Sequence, residues 1–260
     1  MSEFWGITIC ILAATSIFGL VCWSVIYYLT YAVRTQTLGE TTWCGNAKAR
    51  SVALTFDDGP SPDTLKILEI LCSAEIKATF FVVGKEVEKY PEIAKKIVEE
   101  GHEIGNHSYS HPIYLFCTPA KTRRELEKTQ EIIKNVVGFA PKIVRPPCGV
   151  RTPAYFDAAK NLGLTTIQWS DAGFDWKQIT SKKICENILK TVQSDSIILL
   201  HDSDSRLKLN QDVTVNSLPL ILDGLKKKNL RVVPLFELCP QIQESKISRI
   251  AITNFGWRKI

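Results

Sequence analysis

The sequence has little glycine or proline and no low-complexity tract. Its 260 residues include 14 Gly and 12 Pro, while 45% of the residues are hydrophobic and 9% are aromatic. A collagen-like chain needs far more Gly and Pro, and a disordered chain is poorer in apolar residues. The composition therefore excludes both classes and predicts a folded protein of about one domain with an appendage.

The cysteines lack the spacing of a zinc-binding motif. No two of the eight form a C-x-x-C pair, which argues against a zinc knuckle or a thioredoxin-like motif. Cys10 and Cys22 lie in the apolar head, and the others are scattered singly at positions 44, 72, 117, 148, 185 and 239. Scattered cysteines are expected to be reduced, buried small residues rather than a disulfide framework.

The first part of the chain lacks charge. No charged residue occurs from Phe4 to Val33, and a helix of about 30 residues would reach about 45 Å, enough to cross a hydrocarbon core of about 30 Å. Four aromatic residues suit the membrane interfaces, namely Trp5, Tyr27, Tyr28 and Tyr31. A cleaved signal peptide is the alternative, but the preceding Met-Ser-Glu is not a basic leader. We expect residues 1–33 to be a single transmembrane anchor that contacts the membrane through residues 4–33.

The rest of the chain, residues 34–260 (the body), is mildly basic, and its charged residues are dispersed. All 32 Lys and Arg lie at or after Arg34, whereas 26 of the 27 acids do so. Arginine is not clustered or interleaved with aromatics, so no nucleic-acid partner is predicted. The positive-inside rule would place the body in the cytoplasm, although the bias near the span is only a few charges.

The body alternates short apolar runs with amphipathic stretches. After a polar linker at 34–50, we predict strands at Ser51–Phe56, Ala78–Val83, His102–Asn106, Lys142–Arg145, Thr165–Trp169, Ser196–Leu200 and Arg231–Leu235. We predict helices at Pro62–Ala74, Pro91–Glu100, Ala120–Val137, Pro153–Leu162, Ser181–Val192 and Val213–Lys228. This alternation indicates an α/β domain with a mostly parallel sheet at 51–240, followed by a tail at 241–260.

Polar residues fall at the predicted strand ends. Asp57 and Asp58 end the first strand, His107 the third, Arg145 the fourth and His201 the sixth, and Asp171 follows the fifth. Carboxyl ends of parallel strands share one rim, where active sites form. By contrast, we expect His102 to be structural. Asp202, Asp204 and Lys226–Lys228 are predicted to be solvated surface.

Three of the rim residues have the chemistry of a metal site. Asp58, His107 and His111 would leave one position open on a catalytic ion, if a helix or a tight turn converges the two imidazoles. Adjacent acids cannot both face one ligand in an extended chain, so Asp57 is expected to stay available as a base. A simple turn with helix-capping acids is the competing interpretation of these two aspartates.

Two further rim residues suit acid–base chemistry. His201 leaves an apolar strand and suits a general acid near neutral pH, although a structural core histidine is the alternative. Arg145 precedes two prolines, which fix an extended turn, and its guanidinium could orient a carboxylate.

The motifs resemble those of the polysaccharide deacetylases, carbohydrate esterase family 4 or the NodB homology domain. They occur in family order over about Ser51–Cys239: Thr55-Phe-Asp-Asp-Gly-Pro60, His107-Ser-Tyr-Ser-His111, Arg145-Pro-Pro-Cys-Gly149, Asp171-Ala-Gly-Phe-Asp-Trp176 and Leu199-Leu-His201. The resemblance implies a deformed (β/α)7 barrel. It also implies metal-dependent hydrolysis of N-acetyl groups on the amino sugars of chitin oligomers, peptidoglycan or a related glycan.

The resemblance also implies a role for each residue. Asp57 resembles the general base, Arg145 the residue that holds it, and His201 the general acid. Asp175 resembles the acid that orients His201, with Asp171 as second choice. The implied ligands of a divalent ion, with zinc favoured over cobalt or another ion, are Asp58, His107 and His111.

The resemblance implies a substrate groove as well. Trp176 and Leu199 would line the wall around the acetyl methyl group, and a backbone N–H near Cys148 would stabilise the oxyanion. Cys148 departs from the aromatic residue usual in the family, which makes the wall smaller. This departure puts the size of the substrate in question more than the catalysis.

Three functions remain open on this interpretation. The first is a membrane-anchored amino-sugar deacetylase. A deacylase of a lipid-linked sugar at the membrane surface is the second, and a catalytically inactive glycan-binding module is the third. The family's cell-wall substrates favour an extracytoplasmic catalytic domain, whereas the basic linker favours a cytoplasmic one. We expect the catalytic domain to lie outside the cytoplasm.

Overall fold

The computed structural model describes residues 2–46, 49–177, 179–203, 212–240 and 242. Within them, one long N-terminal helix precedes a curled, all-parallel sheet flanked by helices. The curled sheet forms a half-barrel, which confirms the α/β class and the deformed-barrel expectation.

The strands pair in the order β5-β4-β3-β2-β1-β7-β6, and β8 also pairs with β1. Their bounds are β1 Ser51–Asp57, β2 Thr79–Val82, β3 Glu103–Asn106, β4 Ile143–Val144, β5 Thr165–Thr166, β6 Asp171–Ala172, β7 Ile197–His201 and β8 Arg231–Val232. Every residue of β1 is buried, as expected of a central strand in a parallel sheet.

Six of the helices begin at or within one residue of their predicted starts. They are α1 Ser2–Tyr31, α2 Pro62–Ser73, α3 Gly84–Lys89, α4 Pro91–Glu99, α5 Pro119–Val137, α6 Pro153–Asn161, α7 Ser181–Thr191, α8 Asp212–Lys227 and α9 Leu235–Leu238. Short 3-10 turns lie at Tyr114–Phe116 and Pro147–Gly149. Hydroxyls of Ser61, Thr118, Thr152 and Thr180 cap α2, α5, α6 and α7, because they accept N–H groups that have no partner within the helix.

The sequence prediction missed the shortest elements. β6 has two residues and α9 has four, too few for a periodic signal, and α3 was also missed. The predicted strand Thr165–Trp169 is shorter in the structure, where β5 ends at Thr166 and Ile167 forms a bridge with Thr42. The predicted strand Arg231–Leu235 stops at Val232, just before Pro234, which has no N–H for a ladder.

The cysteines depart from the prediction in their burial. None of the cysteines that the structure describes is in a disulfide, but only Cys239 among them is buried. Cys72 and Cys148 are exposed, since they lie on a helix surface and on a rim turn rather than in the core. The predicted tail lies outside the described residues except for Ile242, and so does Asp204, while Lys226–Lys228 are exposed as predicted.

The segment predicted as a linker contacts both sides of the open sheet. Thr42 forms a parallel bridge with Ile167, just after β5, and Cys44 forms an antiparallel bridge with Ser196, just before β7. The N–H of Gly45 also donates to the carbonyl of Asp195 at 2.7 Å. Residues 42–45 therefore lie against the seam between the two ends of the curled sheet.

The apolar helix α1 is long enough to cross a membrane. Its segment Ile11–Tyr31 has a mean hydropathy of 1.8 and is not buried by the rest of the protein. A signal sequence near the N-terminus would pass the same test of length and composition.

We expect the substitution Leu54→Ala in β1 to lower the free energy of unfolding by about 2–5 kcal/mol, because it opens a cavity in the core. Leu54 is fully buried, whereas Leu220 on α8 is 46% exposed and provides the matched control as Leu220→Ala. Denaturant unfolding of the detergent-solubilised protein measures both. Equal destabilisation by the two substitutions would contradict the assigned core.

Candidate active site and metal centre

The strand ends bring the predicted polar residues to one rim. Asp57 and His201 end β1 and β7 and are direct neighbours in the ladder between these strands. His107 follows β3, and Arg145 follows β4. All of these strands are parallel, so their carboxyl ends open on the same side of the sheet.

Arg145 and Asp57 form a buried ion pair. The Nη1 of Arg145 donates to Asp57 Oδ1 at 2.7 Å and to Thr55 Oγ1 at 2.8 Å, and its Nη2 donates to the carbonyl of Gln168 at 3.0 Å. The guanidinium also lies 4.2 Å from the centroid of the Phe81 ring. Asp57 Oδ1 is therefore occupied, whereas Oδ2 faces His107.

The two adjacent aspartates converge on the same ring, unlike neighbours in an extended chain. Asp57 Oδ2 lies 3.6 Å and Asp58 Oδ1 lies 3.4 Å from His107 Nε2. The cause is the backbone of Asp58, which has a left-handed φ of 79° and turns the second carboxylate back.

A tight turn, not a helix, places the two histidines. His111 has a φ of 53° and Ser108 a φ of 67°, and the N–H of His111 donates to Ser108 Oγ at 3.1 Å. The ring centroids of His107 and His111 are 5.0 Å apart. His107 Nδ1 lies 2.7 Å from the carbonyl oxygen of Arg145. A carbonyl only accepts, so Nδ1 carries the proton and Nε2 presents its lone pair to the rim.

Asp58, His107 and His111 fit a divalent metal ion. Their ligand atoms all lie within 4.8 Å of one another, and Asp58 Oδ1 lies 3.4 and 3.1 Å from the two Nε2 atoms. Two ligands of one tetrahedral zinc stand roughly 3.3 Å apart, from zinc–ligand distances of about 2.0–2.1 Å. Asp58 Oδ1 is buried and accepts no hydrogen bond from the described residues. A cation would satisfy that oxygen.

The electrostatics of Asp58 favour its ionised form. Burial alone would raise its pKa, but the proximity of His107 and the charges of His111 and His201 outweigh burial. The pKa of Asp58 is therefore held well below its usual range, and a metal ligand must be deprotonated to bind.

Asp175, not Asp171, contacts His201. The Nδ1 of His201 lies 2.9 Å from Asp175 Oδ1, and the backbone N–H of His201 donates to Oδ2 at 2.7 Å. The hydroxyl of Thr214 donates to the same Oδ2 at 2.8 Å. Asp171, in β6, instead accepts a hydrogen bond from the hydroxyl of its neighbour Ser170. Burial lowers the pKa of His201, but the charge and hydrogen bond of Asp175 outweigh it and raise the pKa to about 10.

The three residues predicted to line the groove differ in exposure. Trp176 is 36% exposed, and its ring lies edge-on to His201 with centroids 5.4 Å apart. Leu199 is buried in β7. Cys148 is exposed in the Pro147–Gly149 turn with a left-handed φ of 54°.

Asp202 is buried, which corrects the prediction that it is solvated surface. It is 1% exposed and accepts hydrogen bonds from the N–H of Gly59 at 3.0 Å and the hydroxyl of Thr64 at 2.5 Å. A Cβ on Gly59 would lie 2.1 Å from Asp202 Oδ2, so this close approach requires glycine. Burial raises the pKa of Asp202 to about 7. The glycine after Asp58 was the only sequence signal of this contact.

His102 has the structural role predicted for it. Its Nδ1 accepts the N–H of Ala78 at 3.0 Å, away from the rim. Burial lowers the pKa of His102 to about 3, so the ring is neutral near pH 7.

We expect the substitution Asp58→Ala to weaken binding of zinc or cobalt by about 100-fold or more, because it removes the anionic ligand. Equilibrium dialysis with metal analysis measures the affinity. Glu69→Ala, which removes an exposed acid from α2, is the matched control. Unchanged affinity in Asp58→Ala would contradict this metal centre.

We expect the substitution Asp175→Asn to lower the pKa of His201 by at least about one unit, because an adjacent negative charge stabilises the imidazolium. In the wild type the ring stays protonated until the pH approaches 10. NMR titration of the metal-free protein, which has four histidines, follows the ring directly. Asp171→Asn is the control and should leave the His201 titration in place; an equal shift in both variants would refute the pairing.

Comparison with known sequences points to one family. Residues 45–167 match the family model described as polysaccharide deacetylase. The chain is 38% identical over 196 residues to a peptidoglycan-N-acetylglucosamine deacetylase of Bacillus cereus, covering 75% of this chain and 70% of the relative. It is 33% identical over 198 residues to a chitooligosaccharide deacetylase of a Bradyrhizobium species, covering 73% and 90%.

Comparison with solved structures agrees. A crystal structure of a peptidoglycan N-acetylglucosamine deacetylase, solved with a naphthalenyl N-oxidanyl-benzamide, superimposes with a TM-score of 0.73 at 36% identity. The match covers 79% of this chain and 95% of that chain. These relatives confirm the resemblance seen in the motifs. The chain belongs to the polysaccharide deacetylase family, and it is a hydrolase of N-acetyl amide bonds.

Proposed function

We propose that this protein removes acetyl groups from N-acetylglucosamine in peptidoglycan or in a chitin-like oligosaccharide. The carrying observation is that two separate acid–base pairs, Asp57 with Arg145 and His201 with Asp175, flank one Asp-His-His cluster. Deacetylases of peptidoglycan and of chitooligosaccharides among the relatives support this substrate class.

Asp57 is the general base in this proposal. Arg145 holds Asp57 Oδ1, so the proton of the attacking water goes to Oδ2, the oxygen that faces His107. Because Arg145 is fixed by Thr55 and by the carbonyl of Gln168, the carboxylate is oriented before substrate binds.

His201 is the general acid. Its Nδ1 proton is engaged by Asp175, which directs Nε2 to the rim. With its raised pKa, the ring is protonated near neutral pH and can deliver the Nε2 proton to the nitrogen of the departing amine. Collapse of the tetrahedral intermediate then releases acetate and the free amino sugar.

The Asp-His-His cluster has the ligands for a metal ion that would assist this reaction. Asp58, His107 and His111 would hold the ion, and a bound divalent ion, with zinc favoured for this donor set, would polarise the amide carbonyl. A backbone N–H of the Pro147–Gly149 turn would share the oxyanion. Trp176 and Leu199 would flank the acetyl methyl group, and the Cys148 side chain would stand at the wall of the groove.

The proposal includes a membrane anchor. Residues 4–33 would cross the bilayer once and remain attached, with the catalytic domain outside the cytoplasm, where peptidoglycan lies. The length and hydropathy of α1 support this part of the proposal.

We expect Asp57→Asn to lower the rate of acetate release by about 10²–10⁴-fold, because the amide cannot accept the proton. The assay measures acetate from N-acetylglucosamine oligomers, peptidoglycan and a lipid-linked amino sugar in the presence of zinc or cobalt. Asp171→Asn, a buried acid that does not contact His201, is the matched control.

The same panel separates the alternatives. Metal binding should persist in Asp57→Asn, so its loss, or undiminished turnover, would contradict the role of Asp57. Acetate from none of the substrates with the wild-type protein would support a glycan-binding module instead, and release from the lipid-linked sugar alone would support a deacylase of lipid-linked sugars.

A further inference from the structure

A buried arginine of the rim fastens the end of α1. The backbone N–H of Arg151 donates to the carbonyl of Thr30 at 3.0 Å. Its guanidinium donates to the carbonyl of Ala32 at 2.6 Å and to that of Val33 at 3.1 Å. Arg151 is 1% exposed. Arg151, which lies just beyond the Pro147–Gly149 turn, therefore bonds to the carbonyl of Thr30 in the last turn of α1 and to those of the two residues after the helix.

The last residue of α1 packs against a second part of the rim. Tyr31 contacts the buried cluster that contains Tyr114 and Tyr155. Ile113 and Cys117 pack against the same cluster. The end of α1 and the segment that follows the proposed metal ligand His111 therefore pack against one buried cluster.

These contacts determine how far the rim lies from the membrane when α1 is inserted. The charge-free run ends at Val33, so an inserted α1 has its C-terminal end at the membrane interface. A loop that binds the carbonyls of Thr30 and Ala32 must lie at that interface too.

The most exposed apolar side chain of the body follows Tyr114 of this cluster by two residues in the chain. Outside α1, the described large hydrophobic residues include none more exposed than Phe116, at 80%, and its neighbour Leu115 is 37% exposed. The next helix, α5, opens with exposed Lys121, Arg123 and Arg124. An apolar tip beside basic side chains is the composition of an interfacial membrane contact.

We propose that Leu115 and Phe116 insert into the interfacial layer of the bilayer spanned by α1, while Lys121, Arg123 and Arg124 face anionic headgroups. The catalytic rim is thereby held at the membrane surface, and its substrate is a glycan borne on that surface. The proposal rests on the proposed anchor and goes beyond it by naming the orientation and the second contact.

Photocrosslinking tests the contact directly. The full chain with Phe116→p-benzoylphenylalanine is reconstituted in vesicles of phosphatidylethanolamine and phosphatidylglycerol, irradiated and analysed by mass spectrometry. We expect a lipid adduct at position 116. The same replacement at Leu220, an exposed apolar residue of α8, is the matched control and should give none. No adduct at 116, or equal adducts at both positions, would overturn the proposal.

Kinetic measurements test whether the membrane contact holds the rim near substrates on the membrane surface. In the double variant L115S/F116S, acetate release from an N-acetylglucosamine oligomer tethered to lipid in the same vesicles should fall about tenfold or more, because the apolar contact is lost. Release from the soluble oligomer should stay within about twofold, as for Leu220→Ser, since both changes are on the surface.

The outcomes separate this proposal from the catalytic one. No fall on the tethered oligomer, or an equal fall on both substrates, would count against the membrane-held rim. If the wild-type protein releases acetate from neither substrate, the deacetylase function fails, while the lipid adduct still decides the contact.

Discussion

The ion pair between Arg145 and Asp57 joins two strands that are not neighbours in the sheet. β4 and β1 are separated by β3 and β2, a span of about 14 Å in a flat sheet with strand spacings of about 4.8 Å. The observed 2.7 Å bond therefore requires the sheet to curl. Both side chains are buried, so loss of either would leave an uncompensated charge in the interior. The same curl brings His107 and His201 around one opening.

Unfavourable backbone conformations concentrate around that opening. Asp58, Ser108, His111 and Cys148 all have positive φ values between 53° and 79° without being glycine. Each such residue costs of order 1–3 kcal/mol, so the surroundings must determine it. Side chains do so here: Ser108 Oγ accepts the N–H of His111, and Asp202 accepts the N–H that follows Asp58. The strain places the metal-binding atoms where an extended chain would separate them.

The boundary between head and body is less sharp in the structure than in the sequence. Composition changes abruptly at Arg34, and the polar stretch after it has no periodicity, which is typical of a linker. Yet residues 42–45 bridge to both sides of the sheet, and Arg151 holds the end of α1. Single backbone bridges and one buried side chain leave no periodic pattern. Sequence reasoning therefore had no means to find them.

The sequence by itself determined the class of fold, the order of the long strands and helices, and the residue types at the rim. Apolar periodicity and helix caps depend on residues that are close in sequence, so they can be recognised in a single sequence. Only the tertiary structure decided that Asp175 rather than Asp171 contacts His201, and that Asp202 is buried beneath the turn at Gly59. Those choices depend on which side chains meet across strands that are far apart in sequence. Their physical cause is the pairing of β7 with β1 on one side and β6 on the other, which one-dimensional spacing does not encode.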